Sequence, residues 1–300
     1  VRRQRNSWCS GEMLRYHEVF TSGSAEKEYD GDALRNAEVT ISGDGFAEGE
    51  GVQFDVTGEQ TTAGISENVF TWTLDPNTKA ENYVISENYG TLSITNRQTR
   101  YEIDVTANSG TYQYDGTTHT VQGLESTRFG IGSNLYTVEG LNAECSAVHA
   151  GTYQVSVTGT PVVRDKNGND VTSQFTVKAS PGTLTIQPRT LRFISGDAVQ
   201  VYNGKPLTAE TITVTGDGFA PGESASFTVT GSRTLAGASD NTFRYELNEG
   251  TEAGDYSIET SYGTLTVLNR PADALYEVTV SGLSGSVLYD GQSHTISGIR

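Results

Sequence analysis

The stretch Gly-Thr-Leu-Ser-Ile at 90–94 returns as Gly-Thr-Leu-Thr-Ile at 182–186 and as Gly-Thr-Leu-Thr-Val at 263–267. In each copy two large aliphatic residues stand two positions apart, with Ser or Thr between them. A period of two places both aliphatic side chains on one face of a β-strand. We therefore predict that each stretch is a strand whose aliphatic residues point into a hydrophobic core.

A long repeat surrounds the first and last of these strands. Residues 22–97 align without a gap with 195–270, and about 35 of about 76 aligned positions are identical. Tyr29-Asp-Gly aligns with Tyr202-Asn-Gly, and Asx-Gly is a strong signal for a tight turn because both residues tolerate a positive φ. We expect the tyrosine before the turn to pack over the core edge and to tie its hydroxyl to backbone. Self-similarity at a fixed spacing indicates an array of folding units.

A second kind of unit alternates with the first, because Tyr114-Asp-Gly and His119-Thr recur as Tyr289-Asp-Gly and His294-Thr. Residues 1–18 match neither kind and carry a basic cluster of Arg2, Arg3 and Arg5. We predict that they form a disordered or unassigned segment, with a functional basic motif as the alternative. The predicted modules are a type-one module at 19–97, a type-two module at 98–188, a second type-one module at 189–270 and the truncated start of a type-two module at 271–300.

The expected fold class is all-β. Apolar residues alternate with polar ones, for example at 154–158, and no stretch keeps helical periodicity over ten residues. The best helical candidate, 78–83, is too short and falls where a loop should lie. We predict tandem Ig-like antiparallel β-sandwich modules that form an elongated, monomeric rod.

Composition excludes several classes of protein. A formal net charge of −17 argues against nucleic-acid binding, since phosphates would be repelled. No run of about 18 apolar residues predicts a membrane span. Cys9 and Cys145 do not recur in equivalent positions, which argues against a disulfide framework, and we expect Cys145 to be a small buried residue beside a strand.

The motifs resemble a known family. Tyr-Asp-Gly-Thr-Thr-His-Thr-Val at 114–121, Ala-Gly-Thr-Tyr-Gln-Val at 150–155 and the closing strands are similar to the bacterial YDG/MBG repeat modules of long cell-surface adhesins. Ala-Gly-x-Ser-x-Asn ahead of an aromatic strand, at 63–70 and 236–243, looks like a variant of the same module. The resemblance covers about 19–300 and implies an Ig-like, surface-exposed stalk. It carries no catalytic or ligand-binding residues to transfer.

Two loops hold carboxylates that could bind a cation. Asp-Lys-Asn-Gly-Asn-Asp at 165–170 has oxygen ligands at alternate positions, yet lacks the glycine and glutamate positions of an EF-hand. We favour an Asn-Gly turn there, with Ca²⁺ as the alternative. Gly-Asp-Gly-Phe-Ala at 43–47 with Glu50, and its copy with Glu223, is interpreted as a turn anchored by phenylalanine, with an ion site as the alternative.

No residues are predicted to form a catalytic, cofactor-binding or metal site. His119 and His294 stand beside turns without a second His or Cys nearby in sequence, so we expect packing or surface roles. No Gly-x-Ser-x-Gly stretch indicates a nucleophile. Trp72 and Tyr245 align in an alternating strand and are expected to be buried.

The functional hypothesis is a structural stalk of a bacterial adhesin, extracellular and attached to the cell surface, without enzymatic activity, that projects a distal domain and so mediates cell adhesion. Two alternatives stay open. The modules themselves could bind host glycans or matrix protein through aromatic residues such as Trp72 and Tyr245. They could also be spacers of a secreted carbohydrate-active enzyme.

Overall fold

A computed structural model describes residues 15–300 of the chain. Residues 1–14, most of the predicted tail, lie outside the described residues. The first strand begins at Tyr16, so the last residues assigned to the tail belong to a sheet. The described chain is all-β, as predicted, with short 3₁₀ helices at Ala80–Asn82, Thr172–Gln174, Ala253–Asp255 and Ala272–Ala274.

The first type-one module has eight strands. They are β1 (Tyr16–Ser22), β2 (Ala25–Glu28), β3 (Val39–Gly43), β4 (Val52–Val56), β5 (Gly64–Glu67), β6 (Phe70–Leu74), β7 (Tyr83–Asn88) and β8 (Thr91–Thr95). They form sheets of order β3-β1-β7, β2-β8-β5 and β4-β6.

The type-two module has nine strands. They are β9 (Tyr101–Thr106), β10 (Gly110–Gln113), β11 (His119–Gln122), β12 (Arg128–Ile131), β13 (Asn134–Ala147), β14 (Gly151–Val155), β15 (Val157–Asp165), β16 (Phe175–Ser180) and β17 (Gly182–Gln187). The long β13 pairs with β11, β12 and β15, while β16 pairs with β9 and a further sheet has the order β10-β17-β14.

The second type-one module repeats the first strand for strand. Its strands are β18 (Arg189–Ser195), β19 (Ala198–Val201), β20 (Ile212–Gly216), β21 (Ala225–Val229), β22 (Gly237–Asp240), β23 (Phe243–Leu247), β24 (Tyr256–Ser261) and β25 (Thr264–Leu268). Both ends of every strand are displaced by the same number of positions, as from Tyr16 to Arg189. After β25 the chain forms a 3₁₀ helix and one isolated bridge between Gly282 and Ile299.

The chain divides into two compact units. Unit 1 takes the described residues up to Thr111 together with Thr118–Ala147 and Thr152–Thr185. Unit 2 takes Tyr112–Thr117, Val148–Gly151 and Ile186–Arg300. Two loops of the type-two stretch thus belong with unit 2, and the module boundaries at 97 and 188 stay predictions.

The closing strands bury the residues that the period-two pattern assigned to the core. The side chains concerned are all at most 2 % exposed: Leu92, Ile94, Leu184, Ile186, Leu265 and Val267. Aromatic rings fill the space between sheets in the type-one modules, where Phe20 of β1 meets Phe54 and Trp72 edge-on at 5.0 and 5.6 Å between ring centroids.

The prediction of antiparallel sheets is wrong for the strands at the two ends of each module. β1 runs parallel to β7 and β2 runs parallel to β8, with the register constant from Tyr16 opposite Tyr83 to Glu28 opposite Thr95. β18 and β19 pair in parallel with β24 and β25, and β9 pairs in parallel with β16. The reason is that the segments β1–β2 and β7–β8 lie side by side and run in the same direction. Both segments pass from one sheet into the next at the same level. Period-two alternation is the same in both arrangements, so the sequence pattern does not distinguish them.

A buried polar contact, which we call the Ser–Asn clip, holds this change of sheet. The Ser22 hydroxyl donates to the Asn68 carbonyl at 2.6 Å and accepts the Gly90 amide at 2.9 Å. The Asn68 side-chain amide donates to the carbonyls of Gly23 and Asn36 at 2.9 and 2.8 Å. A Cβ on Gly90 would lie 2.5 Å from two carbonyl oxygens, so only glycine fits.

The same clip recurs in the second type-one module. Ser195 donates to the Asn241 carbonyl at 2.6 Å, and Asn241 donates to Gly196 and Ala209 at 2.9 and 2.8 Å. The asparagine of the Ala-Gly-x-Ser-x-Asn motif therefore satisfies backbone carbonyls that the change of sheet leaves without ladder partners.

Candidate functional site: the module junctions

In three of the four Tyr-Asx-Gly turns the tyrosine lies against residues of the following module, and we call each such place a junction; these are Tyr29, Tyr114 and Tyr202. The fourth, Tyr289, is 96 % exposed. Tyr29 is buried in a cluster that joins Ile94 of the first type-one module to Ile103 and Tyr136 of the type-two module. The Tyr29 and Tyr136 hydroxyl oxygens are 3.3 Å apart. Burial, followed by the hydrogen bond with Tyr136, raises the pKa of Tyr29 far above its usual range, so the phenol stays neutral.

At the second junction, in unit 2, the hydroxyl of the turn tyrosine bonds to a carboxylate instead of a phenol. The buried Tyr114 donates its hydroxyl to one oxygen of Glu223, and Tyr256 donates to the other at 2.7 Å. The rings of Tyr114 and Tyr256 meet edge-on at 5.8 Å. Burial raises the pKa of Tyr256 to about 12. The turn tyrosines Tyr29 and Tyr114 are buried at the core, as predicted, but the prediction that the hydroxyl binds backbone is wrong for both.

An arginine completes each junction. The Arg97 guanidinium donates to the Tyr29 carbonyl at 3.0 Å and lies 4.0 Å above the Tyr101 ring. Cation–π contacts of this kind orient the planar guanidinium as well as stabilising it. Sequence reasoning missed this residue, although the identity of Arg97 and Arg270 in the repeat was a visible signal.

The arginine contact recurs at the other two junctions. Arg189 and Arg270 each donate to the carbonyl of the turn tyrosine, Tyr114 or Tyr202, at 3.4 Å. Arg270 also lies 4.1 Å from the ring centre of Tyr276, which repeats the pairing of Arg97 with Tyr101. At all three junctions an arginine thus couples the turn to the segment that follows the closing strand.

The loop at 43–47 and its copy form the predicted turns. Gly45 and Gly218 have φ of +83° and +74°. Phe46 stacks near Phe20 at 6.3 Å between centroids, which confirms the anchoring role. The nearby Glu50 accepts the Tyr83 hydroxyl, in the place where Glu223 accepts that of Tyr256.

The candidate calcium loop is the predicted Asn-Gly turn. The Asp165 carboxylate accepts backbone amides of Asn167 and Asn169 at 2.8 and 2.9 Å, and Gly168 has a φ of +83°. Asp170 accepts both the amide and the hydroxyl of Thr172. Both carboxylates thus serve hydrogen bonds within the turn, and Ca²⁺ binding stays an untested alternative.

One group of three potential metal ligands occurs among the described residues: His149, Glu252 and Asp255 in unit 2. His149 Nδ1 lies 2.9 Å from Asp255 Oδ2 and 3.6 Å from Glu252 Oε2. Asp255 is buried, and its second oxygen accepts the Ala150 amide at 2.6 Å. The hydrogen bond with Asp255 raises the pKa of His149. Sequence reasoning missed this group, because His149 stands about a hundred residues before the two carboxylates and no spacing motif links them.

The remaining sequence candidates lie apart from one another. His119 begins β11, and His294 Nε2 lies 2.8 Å from Asp290 Oδ1 in the C-terminal segment. Cys145 is a half-buried free thiol in β13, whereas Cys9 lies outside the described residues.

The burial predicted for the aligned aromatic pair is met only in part. Trp72 is half-buried and donates its indole N–H to Glu87 at 2.6 Å. Tyr245 is 37 % exposed, although its ring contacts Phe193 edge-on at 5.0 Å. Both rings therefore seal the rim of a core and leave one edge toward solvent.

A scan against models of protein families finds no match for this chain, and a search of curated proteins finds no relative. No helix among the described residues has the length and apolar character needed to cross a membrane.

Proposed function

We propose that this chain is a load-bearing stalk of a bacterial cell-surface adhesin, built from Ig-like β-sandwich modules in line that project a distal domain and so mediate cell adhesion. In this proposal the protein is extracellular, attached to the cell surface and not an enzyme. One observation carries the proposal: the strands at the two ends of a module are neighbours and run parallel.

Parallel end strands suit a module that is pulled by its ends. Force applied at β1 and β8 slides β1 along β7 and β2 along β8, because each pair runs in the direction of the force. Six residue pairs of β1 with β7 and four of β2 with β8 then resist together. An antiparallel pair pulled at one end would instead open one hydrogen bond at a time. The second type-one module has the same six and four pairs.

The junctions support the same role. Within unit 1, the buried Tyr29 and the Arg97 contact with its carbonyl tie the first type-one module to the type-two module. Within unit 2, Tyr114 and Arg189 tie residues 112–117 to the second type-one module. Such ties transmit force from module to module and restrict bending at the linkers.

Single-molecule force spectroscopy on the full chain tests the proposal. Each of the three complete modules should unfold in a separate event at raised force. About 80 residues at roughly 3.3–3.6 Å each predict a gain of about 250 Å per event after the folded length is subtracted. Extension without such events would refute the shear arrangement.

A cross-linked variant assigns one unfolding event to the first type-one module. Glu26 and Ser93 are partners in β2 and β8, so Glu26→Cys with Ser93→Cys, in a background without Cys9 and Cys145, should form a disulfide across the parallel pair. Oxidation should remove one of the three events, and reduction should restore it. Persistence of all three events once the disulfide has formed would show that the events do not correspond to the three modules.

A second candidate function, binding of glycan or matrix protein by the modules, is favoured only by the partial exposure of Tyr245. Arrays of glycans and matrix proteins probed with the full chain distinguish the two functions. Binding that is lost in Tyr245→Ala would favour the second function. The stalk function predicts that the full chain binds neither the glycans nor the matrix proteins on the arrays.

A further inference from the structure

We propose that His149, Glu252 and Asp255 form a binding site for a divalent transition-metal ion, with Zn²⁺ as the best-matched ion. The site goes beyond the proposed stalk function. It lies within unit 2, where the Val148–Gly151 loop meets the 3₁₀ helix Ala253–Asp255 of the second type-one module.

The distances fit tetrahedral zinc. Ligand atoms about 2.0–2.1 Å from a tetrahedral ion lie about 3.3 Å from one another. His149 Nδ1 is 2.9 Å from Asp255 Oδ2 and 3.6 Å from Glu252 Oε2, on either side of that value. The three candidate ligand atoms all lie within 4.8 Å of one another. The Glu252 side chain is 65 % exposed and can rotate to shorten its distance from Asp255.

Asp255 is held in place as a ligand before any ion arrives. Its side chain is only 2 % exposed, and one oxygen accepts the Ala150 amide at 2.6 Å while the other faces His149. A backbone hydrogen bond of this kind orients a ligating carboxylate and reduces the loss of side-chain freedom on binding. The site thus combines one buried, fixed oxygen ligand with two exposed ones.

The charges around the imidazole favour a dication. Asp255, Glu252 and Glu223 all act electrostatically on His149. An imidazole with two carboxylates selects zinc and its neighbours over Mg²⁺ or Ca²⁺, which prefer all-oxygen sites. Three protein ligands leave a fourth position for water or for a group of another molecule.

The repeat shows that the module fold does not require these carboxylates. Lys79 stands where the second type-one module has Glu252, and Asn82 stands where it has Asp255. The flanking 3₁₀ helix is the same in both copies, Ala80–Asn82 and Ala253–Asp255. The two carboxylate ligands are therefore particular to one copy, and the first copy supplies replacements that the module fold accepts.

Calorimetric titration of the full chain with Zn²⁺ tests the site, in a Cys9→Ser, Cys145→Ser background that removes competing thiols. We expect one equivalent to bind, and Co²⁺ to give the visible absorption of a tetrahedral complex. His149→Ala and Glu252→Lys remove exposed side chains and should leave folding intact, which circular dichroism checks. Each should weaken binding by more than the roughly 10- to 100-fold loss that removal of an outer-shell partner causes.

His294→Ala is the matched control, because His294 also pairs with a carboxylate, Asp290, at 2.8 Å. It should leave both the stoichiometry and the affinity unchanged. The proposal is overturned if the full chain takes up no Zn²⁺, if His149→Ala binds as well as the parent, or if His294→Ala abolishes binding.

Discussion

A buried glutamate in β1 should lower the free energy of unfolding of the first type-one module relative to a variant with an apolar residue at that position. Glu18 is 1 % exposed, and neither carboxylate oxygen makes a hydrogen bond. Leu191, at the same position of the second type-one module, is also 1 % exposed. We predict that Glu18→Leu stabilises the module, because a leucine of matching burial replaces an unpaired acid.

The magnitude follows from two contributions. Burying a leucine side chain contributes about 1.5–3 kcal/mol, and removing an unsatisfied buried acceptor relieves about 1–3 kcal/mol. Replacing buried ionic groups by apolar ones of similar size has stabilised other proteins by about 1–4 kcal/mol. We therefore expect the free energy of unfolding at neutral pH to rise by about 2–4 kcal/mol in Glu18→Leu.

The same residue predicts a dependence on pH. Burial raises the pKa of Glu18 above 4.5; the charge of Asp44 adds to this, while the Gly45 amide opposes it without reaching hydrogen-bond geometry. Between the unfolded and folded pKa the native state binds the extra proton, so stability falls as pH rises from about 4.5. This contribution to the pH dependence should be lost in Glu18→Leu, whose side chain does not titrate.

Fluorescence of Trp72 during urea unfolding provides the assay. The chain has two tryptophans, so Trp8→Phe leaves Trp72, whose ring contacts Phe20 in the module concerned, as the only reporter. Leu191→Glu, at the same position of the second type-one module, is the matched control and should leave the Trp72 transition unchanged. An unchanged or lower midpoint in Glu18→Leu, or a pH dependence that is undiminished in it, would refute the reasoning.

Three further predictions concern the clip, the junction and the array. Asn68→Ala, which leaves the partly buried carbonyls of Gly23 and Asn36 without donors, should destabilise the first type-one module by about 2–4 kcal/mol, measured by Trp72 fluorescence. Asn241→Ala should leave that transition unchanged, and equal effects would contradict a local role. Arg97→Ala should lower the unfolding free energy by about 1–2 kcal/mol through the lost charged hydrogen bond and ring contact, whereas the exposed Arg128→Ala should have little effect in the same urea titration. If the modules lie in line as proposed, small-angle scattering should give a radius of gyration well above the roughly 19 Å of a 300-residue globule, and a value near 19 Å would exclude the array.

The sequence was sufficient for the strands and their inward faces. Leu92 and Ile94 were placed correctly because a period of two has one structural meaning in a strand. The turns at 43–47 and 165–170 were also predicted correctly, because the glycines and Asx residues fix the local backbone geometry.

What the sequence could not supply depends on neighbours distant in the chain. The parallel pairing of β1 with β7 leaves the alternation of side chains unchanged, so no local pattern reports it. The partners of Tyr29 and Tyr114, a phenol and a carboxylate, lie about a hundred residues further on. The contact between His149 and Asp255 is equally remote, and neither residue type predicts the other.

The two kinds of junction limit how a chain of this design can change its length. Tyr29 meets the phenol of Tyr136 where type one precedes type two, whereas Tyr114 meets Glu223 where type two precedes type one. Removal of one module alone would place a turn tyrosine against the wrong acceptor. Recombination that adds or removes a neighbouring pair of modules, one full period of the repeat, would keep every tyrosine with its own partner. Copies of such a gene should therefore differ by whole pairs.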